Sequence, residues 1–321
     1  MGAKHVIGID IGHSTVKVVG LVIHGHKVSF TGCKMTKIDP QYVKKDGFTN
    51  TQVVAQVIRE ALAAAAPRAV KAGAAFALLP ESILFRRVLE LPASMAAEEL
   101  EGIVRLEAAE YLPSPLEEME LDFSPLGLLP DGKEQQIMVV AAPRKIVEDY
   151  WVAFKQAKLQ LQAIDPKPSS LARACIPFDH KEPVILVDIG SETTSISVWD
   201  RGMIQVTSAL NVGAEVLKDP ATGEIDEEKE PALLKNMVTS IVEELEHVSK
   251  FYSNRRTTDE IMDIRLSGGG SLAPGVDKYF EAAIDGAKIS FCQPIIQVPP
   301  FCDRRFLGAI GAALYTPHEA N

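Results

Sequence analysis

The N-terminal stretch of the chain alternates short β-type runs with glycine turns. His5-Val-Ile-Gly-Ile-Asp10 and Val16-Lys-Val-Val-Gly-Leu-Val-Ile23 are dense in β-branched residues, and Gly25-His26 turns the chain into Lys27-Val-Ser-Phe-Thr31. This pattern predicts a meander of hairpins. Thr51–Ala66 is alanine-rich and predicts a helix stopped at Pro67. Ala96–Leu112 has a helical period, with Leu100, Ile103, Val104, Tyr111 and Leu112 on one broad side, and Pro113-Ser114-Pro115 ends it. Gln136–Ala142 predicts a strand and Arg144–Lys158 a helix. Further on, Met237, Ile241, Leu245, Val248 and Tyr252 form the stripe of a core-facing helix over Leu234–Tyr252. Ile264–Ser267 predicts a strand, and helices are expected over Gly275–Ala283 and Phe306–Tyr315.

The opening pattern recurs. Pro183-Val-Ile-Leu-Val-Asp188 is followed by Thr194-Ser-Ile-Ser-Val-Trp199, a turn at Asp200-Arg-Gly202, and Met203-Ile-Gln-Val-Thr207. Asp10-Ile-Gly12 falls on Asp188-Ile-Gly190 at an offset of 178 residues. So long a period implies duplicated lobes rather than a solenoid.

The repeat carries the chemistry. In each copy a buried strand ends in an aspartate, then a glycine, then hydroxyl residues. Glycine allows a tight turn that brings backbone N–H groups close to an anion. Ser14 and Thr15 in the first turn, and Thr193 and Thr194 in the second, are candidate donors to phosphate oxygens. Asp10 and Asp188 are themselves anionic and make sense if a hydrated Mg²⁺ lies between them and the phosphates. Lys17 is a candidate point charge for a β- or γ-phosphate. Gly268, Gly269 and Gly270, after a strand and before a helix, leave room for a base or ribose. His13 lies inside the first loop and reads more readily as solvated, although its position makes it a candidate contact. There is no Walker-type G-x-x-x-x-G-K-[ST], no nucleophile elbow and no Cys/His dyad at a known spacing.

Composition narrows the classes. The chain has 321 residues, 46% hydrophobic and 24% charged, the size of about two domains or one two-lobed body. A net charge of −10 disfavours nucleic acid and anionic lipid as partners. The pairs Arg86-Arg87, Arg255-Arg256 and Arg304-Arg305 read as solvated faces. Cys33, Cys175, Cys292 and Cys302 are too scattered for a zinc site and fit buried free thiols in a reducing compartment. No signal peptide and no run of 18 apolar residues is present, and Thr316–Asn321 does not form an amphipathic anchor, so direct membrane insertion is not expected.

The order of first phosphate loop, second phosphate loop, adenosine glycines and closing helix resembles the actin, heat-shock chaperone and sugar kinase superfamily. Asp10, Gly12, Ser14 and Lys17 match its first phosphate loop, and Asp188, Gly190 and Thr193 its second. Gly268–Gly270 match its adenosine motif, and Phe306-Leu-Gly-Ala-Ile-Gly-Ala-Ala-Leu314 its last connecting helix. Within that superfamily, Glu98-Glu-Leu-Glu-Gly-Ile-Val-Arg105, Glu107-Ala-Ala-Glu-Tyr-Leu-Pro113, Leu121-Asp-Phe-Ser-Pro125 and Ala141-Ala-Pro-Arg144 resemble the PilM family of type IV pilus assembly proteins, relatives of FtsA.

The resemblance implies an α/β, actin-like ATPase fold of two duplicated RNase H-like lobes with an inserted α+β subdomain. Residues 1–79 and 164–182 are expected to form lobe I, and 80–163 the insert. Residues 183–213 and 263–321 are expected to form lobe II, with a reduced subdomain over 214–262 that contains an acidic loop at 219–230. Gly213 joins the implied nucleotide contacts, and Glu215 and Lys218 stand near ribose-contacting positions. The implied cofactors are ATP and Mg²⁺. The implied partner is the N-terminal tail of a PilN-like bitopic membrane protein, which would hold the chain at the cytoplasmic face of the inner membrane. The groove is expected near Arg86–Leu91 and the 100–112 helix. Slow hydrolysis and a pseudo-ATPase both stay open, because Asp165-Pro-Lys-Pro-Ser-Ser170, where the lobes connect, offers no evident general base; a homo-oligomer stays open as well. A metabolic kinase, an FtsA-like filament protein and a secretion-system platform are the alternative readings.

Overall fold

The computed structural model describes residues 2–71, 73–129, 131–218, 230–256 and 261–315. The acidic loop expected over 219–230, apart from Glu230, and the terminal Thr316–Asn321 lie outside the described residues, as do the side chains of Arg255 and Arg256. The first lobe opens with β1 (Lys4–Ile11), β2 (Thr15–His24) and β3 (Lys27–Lys37). The ribbon of β4 (Val43–Lys44) and β5 (Gly47–Phe48) leads to α1 (Thr51–Ala63), β6 (Ala66–Pro67) and β7 (Ala74–Leu79). Asn50 starts α1 by accepting from the free amides of Gln52 and Val53. An excursion follows, made of β8 (Phe85–Pro92), α2 (Ala97–Tyr111), β9 (Met119–Leu128) and β10 (Glu134–Pro143). The chain returns through α3 (Arg144–Gln156), β11 (Gln160–Pro166) and α4 (Lys167–Cys175). The second lobe has β12 (Val184–Ile189), β13 (Thr194–Asp200), β14 (Met203–Leu210) and α5 (Glu230–Arg256). It closes with β15 (Asp263–Ser267), α6 (Val276–Ala283), β16 (Lys288–Phe291) and α7 (Leu307–Ala313).

The two large sheets share one topology. Setting aside the two-residue β6, their orders are β3-β2-β1-β7-β11 and β14-β13-β12-β15-β16. In each, three antiparallel strands are joined on one side by two parallel ones. The 178-residue sequence repeat is therefore a duplication of whole lobes.

Both sheets are covered on both faces, which is why β1 and β12 read as near-continuous apolar runs. Ile7, Ile9 and Ile11 pack with Val54 and Ile58 of α1 and Ile146 and Phe154 of α3. The opposite residue Val6 joins Leu171 of α4, Leu307 and Ile310 of α7, and Val184 and Leu186 of β12 in a middle layer between the sheets. Ile185 and Val187 face Met237, Ile241 and Leu245 of α5 and Phe280 of α6. The order of layers is α1/α3, first sheet, α4/α7, second sheet, α5/α6.

Two expected boundaries shift. The insert is the three-stranded sheet β8-β10-β9 with α2 on it, where Val104 packs with Leu89, Leu91, Ile137 and Val139. The segment 144–163, assigned from sequence to the insert, belongs to the first lobe: Ile146, Tyr150 and Phe154 are buried in its core and β11 pairs with β7. Likewise α5, expected in a separate 214–262 subdomain, covers the second sheet, with Met237, Ile241, Leu245, Val248 and Tyr252 all buried.

The middle layer is tight because α4 and α7 cross with no side chain between them. A Cβ on Gly311 would lie 1.7 Å from the Ser170 carbonyl oxygen, and one on Gly8 would lie 1.8 Å from that of Ala309. Gly311→Ala is expected to destabilise the protein by about 3 kcal/mol. Gly102→Ala, in α2 where a Cβ meets nothing within 4 Å, is expected to stabilise it by about 1 kcal/mol. Denaturant unfolding of the two variants checks the opposite signs.

Candidate functional site

Each lobe carries a carboxylate at the penultimate position of its first strand, Asp10 or Asp188, and closes the following turn in the same way. The Gly12 amide donates to the Thr15 carbonyl over 2.9 Å, and the Gly190 amide to the Thr193 carbonyl over 2.9 Å. The two turns face each other across a cavity of about 280 Å³. Asp10, Gly12, His13, Ser14, Thr15 and Lys17 line it from the first lobe. Asp188, Gly190, Thr193 and Gly268–Gly270 line it from the second. Residues predicted from three separate segments thus meet at one place.

Two predicted contacts stand behind the cavity wall instead. Thr194 is fully buried and its hydroxyl donates to the Val212 carbonyl over 2.7 Å, so it is not a phosphate donor. Gly213 packs against the back of the second turn, where a Cβ would come within 2.5 Å of the Ser191 carbonyl oxygen. The amides beyond it, of Ala214 and Glu215, donate to the carbonyls of Gly190 and Ser191 over 2.9 and 2.7 Å. Both residues shape the turn rather than line the cleft. Glu215 and Lys218 pair with each other at 2.9 Å on the surface.

The third glycine element is built for close approach. Gly268 has φ +82°, and a Cβ there would lie 2.3 Å from the Ile189 carbonyl oxygen and 2.6 Å from Asp188 Oδ1. Only glycine fits between the strand end and the carboxylate. Gly269, by contrast, has nothing within 4 Å of its Cβ direction. It presents bare backbone to the cavity.

The electrostatic centre is a residue to which the sequence reading gave no role. Lys167, the first residue of α4, puts its Nζ 2.8 Å from Asp188 Oδ2 and 3.7 Å from Asp10 Oδ2. Lys17 Nζ lies 3.1 Å from the same Asp10 oxygen. Burial raises the pKa of Asp10, but the charges of Lys167 and then Lys17 outweigh that and bring it from 3.8 to about 2. Burial works against the Lys167 ammonium, yet the two carboxylates outweigh this and raise its pKa above that of an ordinary lysine. A hydrated Mg²⁺ between the aspartates, as expected from sequence, would have to displace the ammonium that spans the gap. Lys17 is likewise engaged with Asp10.

Three other expectations change. His13 is no free loop histidine: its Nδ1 lies 3.3 Å from the Val43 carbonyl and its Nε2 3.0 Å from Glu192 across the cleft. Arg304 and Arg305 line the cavity rather than a solvated face. Arg304 stacks 3.8 Å over the ring of Phe291 and keeps a buried Nη1 with no hydrogen-bond partner among the described residues. Arg86 is turned inward to Glu81, at 3.3 Å. Tyr150 of α3 also lines the cleft; burial and the Asp10 charge raise its pKa. One sequence signal for Lys167 is its position at the lobe junction, and for Arg304 its neighbourhood to the closing helix. The four cysteines are free and buried, as expected.

With this geometry in place, the relatives are informative. The sequence model of the family described as type IV pilus assembly protein PilM matches residues 8–291. The chain belongs to the PilM family. It is similar in structure to a PilM–PilN type IV pilus biogenesis complex, with TM-score 0.81 and 23% identity over 96% of this chain and 97% of that one. It shares its fold with MreB5 of Spiroplasma citri bound to AMPPNP, with TM-score 0.52 and 12% identity over 97% and 95% of the two chains. The cell division protein FtsA of Bacillus subtilis (strain 168) is 22% identical over 183 residues, which is 51% of this chain and 38% of that relative. These likenesses establish the actin-like ATPase fold for this PilM family member.

Because the folded pKa of Asp10 is depressed, its ion pairs stabilise the protein above the unfolded value near 3.8, and that stability is lost as pH falls toward about 2. The shift corresponds to about 2 kcal/mol. Thermal midpoints of wild type and Asp10→Asn are expected to converge between about pH 5 and pH 2. Parallel curves would contradict the pairing.

Proposed function

We propose that this PilM family member binds an adenine nucleotide in the interlobe cleft and holds the N-terminal tail of a PilN-like inner-membrane protein on its insert. The observation that carries the nucleotide half is the convergence of two identically closed glycine turns and the Gly268–Gly270 backbone on one cavity. Ser14, Thr15 and Thr193 are the hydroxyl donors for phosphate oxygens, with the turn amides beside them. The open face of Gly269 is the place for the base or ribose. The fold shared with MreB5, solved with AMPPNP, supports the reading.

The tail half rests on the insert. β8 is an edge strand of its sheet, and Arg87–Leu91 with Glu107 of α2 line a second cavity of about 350 Å³. An extended tail laid on a free strand edge gains main-chain hydrogen bonds, and its side chains are read by neighbouring pockets. Arg87 is held 4.7 Å over the Tyr111 ring, which stiffens the groove mouth. The likeness to a PilM–PilN complex supports this partner. Among the described residues no helix is long and apolar enough to cross a membrane, so the partner would supply the membrane attachment.

Turnover is slow or nil in this reading. At the lobe junction the Asp165 carboxylate is engaged by Arg173 at 2.9 Å and by the Ser170 hydroxyl, and Lys167 by the two cleft aspartates. None of them is free to take a proton from water.

Gly269→Val is expected to keep the thermal midpoint and to weaken ATP by at least about tenfold in calorimetry. Unchanged ATP affinity would remove the nucleotide half. A labelled N-terminal peptide of a PilN-like protein is expected to bind wild type, and to bind Arg87→Ala/Glu107→Ala at least about fivefold more weakly. Equal binding by the double variant would remove the groove.

A further inference from the structure

The two aspartates of the cleft are already joined by a cation of the protein's own. Lys167 Nζ is 2.8 Å from Asp188 and 3.7 Å from Asp10, and Lys17 Nζ is 3.1 Å from Asp10. A magnesium ion held through carboxylates needs their oxygens free for its octahedral water shell. Here Asp10 Oδ2 is shared by two ammonium groups and Asp188 Oδ2 is taken by one. A divalent ion placed between them would also face the like charge of Lys167. Among the described residues no group of three or more His, Cys, Asp or Glu side chains is arranged to hold a metal. The Oδ2 atoms of both aspartates are thus taken by ammonium groups, and a divalent cation between them would have to displace Lys167.

We propose that Lys167, supported by Lys17, stands in for the divalent cation, so that the cleft binds the free polyphosphate of a nucleoside triphosphate without metal. This rests on the nucleotide reading above and sharpens it. The ammonium of a lysine has three donors; Asp188 at 2.8 Å takes at most one, and Asp10 at 3.7 Å is held by charge alone, so donors remain for a phosphate oxygen. The wall around the site supplies the rest of the charge. Lys44 and Lys45 line it from the β4–β5 ribbon, and Arg304 and Arg305 from the segment before α7, with Arg305 paired to Asp303 at 2.6 Å and Lys45 hydrogen-bonded to Asn211 at 2.9 Å. Apart from the lysine-bridged Asp10 and Asp188, the lining carries one acidic side chain, Glu192, and that one is paired with His13. In a chain of net charge −10, the cleft is a local basic focus.

The test compares ATP titrations by calorimetry in excess Mg²⁺ and in EDTA. For wild type the two dissociation constants are expected to agree within about threefold. In Lys167→Met Asp188 is freed and Asp10 keeps only Lys17; affinity in EDTA is expected to fall at least about tenfold and to be restored by Mg²⁺. Wild-type binding that collapses in EDTA would overturn the proposal while leaving the nucleotide reading intact. So would Lys167→Met binding that is unchanged in EDTA. Absence of ATP binding in both buffers would overturn the nucleotide reading itself, and this inference with it. The wild-type comparison needs no variant to fold.

Discussion

The structure turns on one ammonium group held between two carboxylates. Asp10 and Asp188 close homologous strands in different lobes, and each is buried at the mouth of its turn. Unpaired, two such charges facing each other would repel and each would carry a desolvation cost. Lys167 meets both, and it can do so because it is the first residue of the helix that runs between the sheets. The same residue therefore bridges the two lobes at the cleft and offsets the charge of both aspartates.

The packing behind Lys167 keeps it there. Asp165, two residues earlier, binds Arg173 at 2.9 Å, and Arg173 donates to the Gly311 carbonyl of α7 at 2.8 Å. Glycines at Gly8 and Gly311 let α7 lie against the first strand and against α4 with no side chain interposed. The cleft is further spanned by His13 to Glu192, by Lys45 to Asn211 at 2.9 Å and by Thr207 to Glu81. The outer contacts are partly exposed and individually weak, whereas the waist is dense. Such a build favours lobes that hinge about α4 and α7.

Much of this was legible in the chain. The matched turns, the glycine triplet and the stripe of Met237, Ile241, Leu245 and Val248 are local patterns, and local patterns survive folding. What a stripe does not state is which sheet it meets: α3 and α5 were read as helices but assigned to the wrong bodies, because amphipathicity specifies a buried face and not its partner. Lys167 had no motif around it, only Pro166 and Pro168; its role exists only once two segments 178 residues apart are brought together. A signal was nonetheless present, since two aspartates predicted to be buried at one site call for a counter-charge, and Lys17 alone does not reach both. Arg304 was read as surface because its partner ring, Phe291, is distant in sequence. Thr194 was read as a phosphate donor because it follows Thr193, yet strand alternation turns its hydroxyl to Val212.

Two duplicated turns from separate lobes are predicted to grip one ligand. Amide hydrogen exchange with and without ATP measures this at the backbone itself. The predicted result is slowed exchange, on ATP addition, at Gly12–Thr15, Gly190–Thr193 and Gly268–Gly270 together. Slowing confined to one lobe, or none at any of the three segments at saturating ATP, would contradict it.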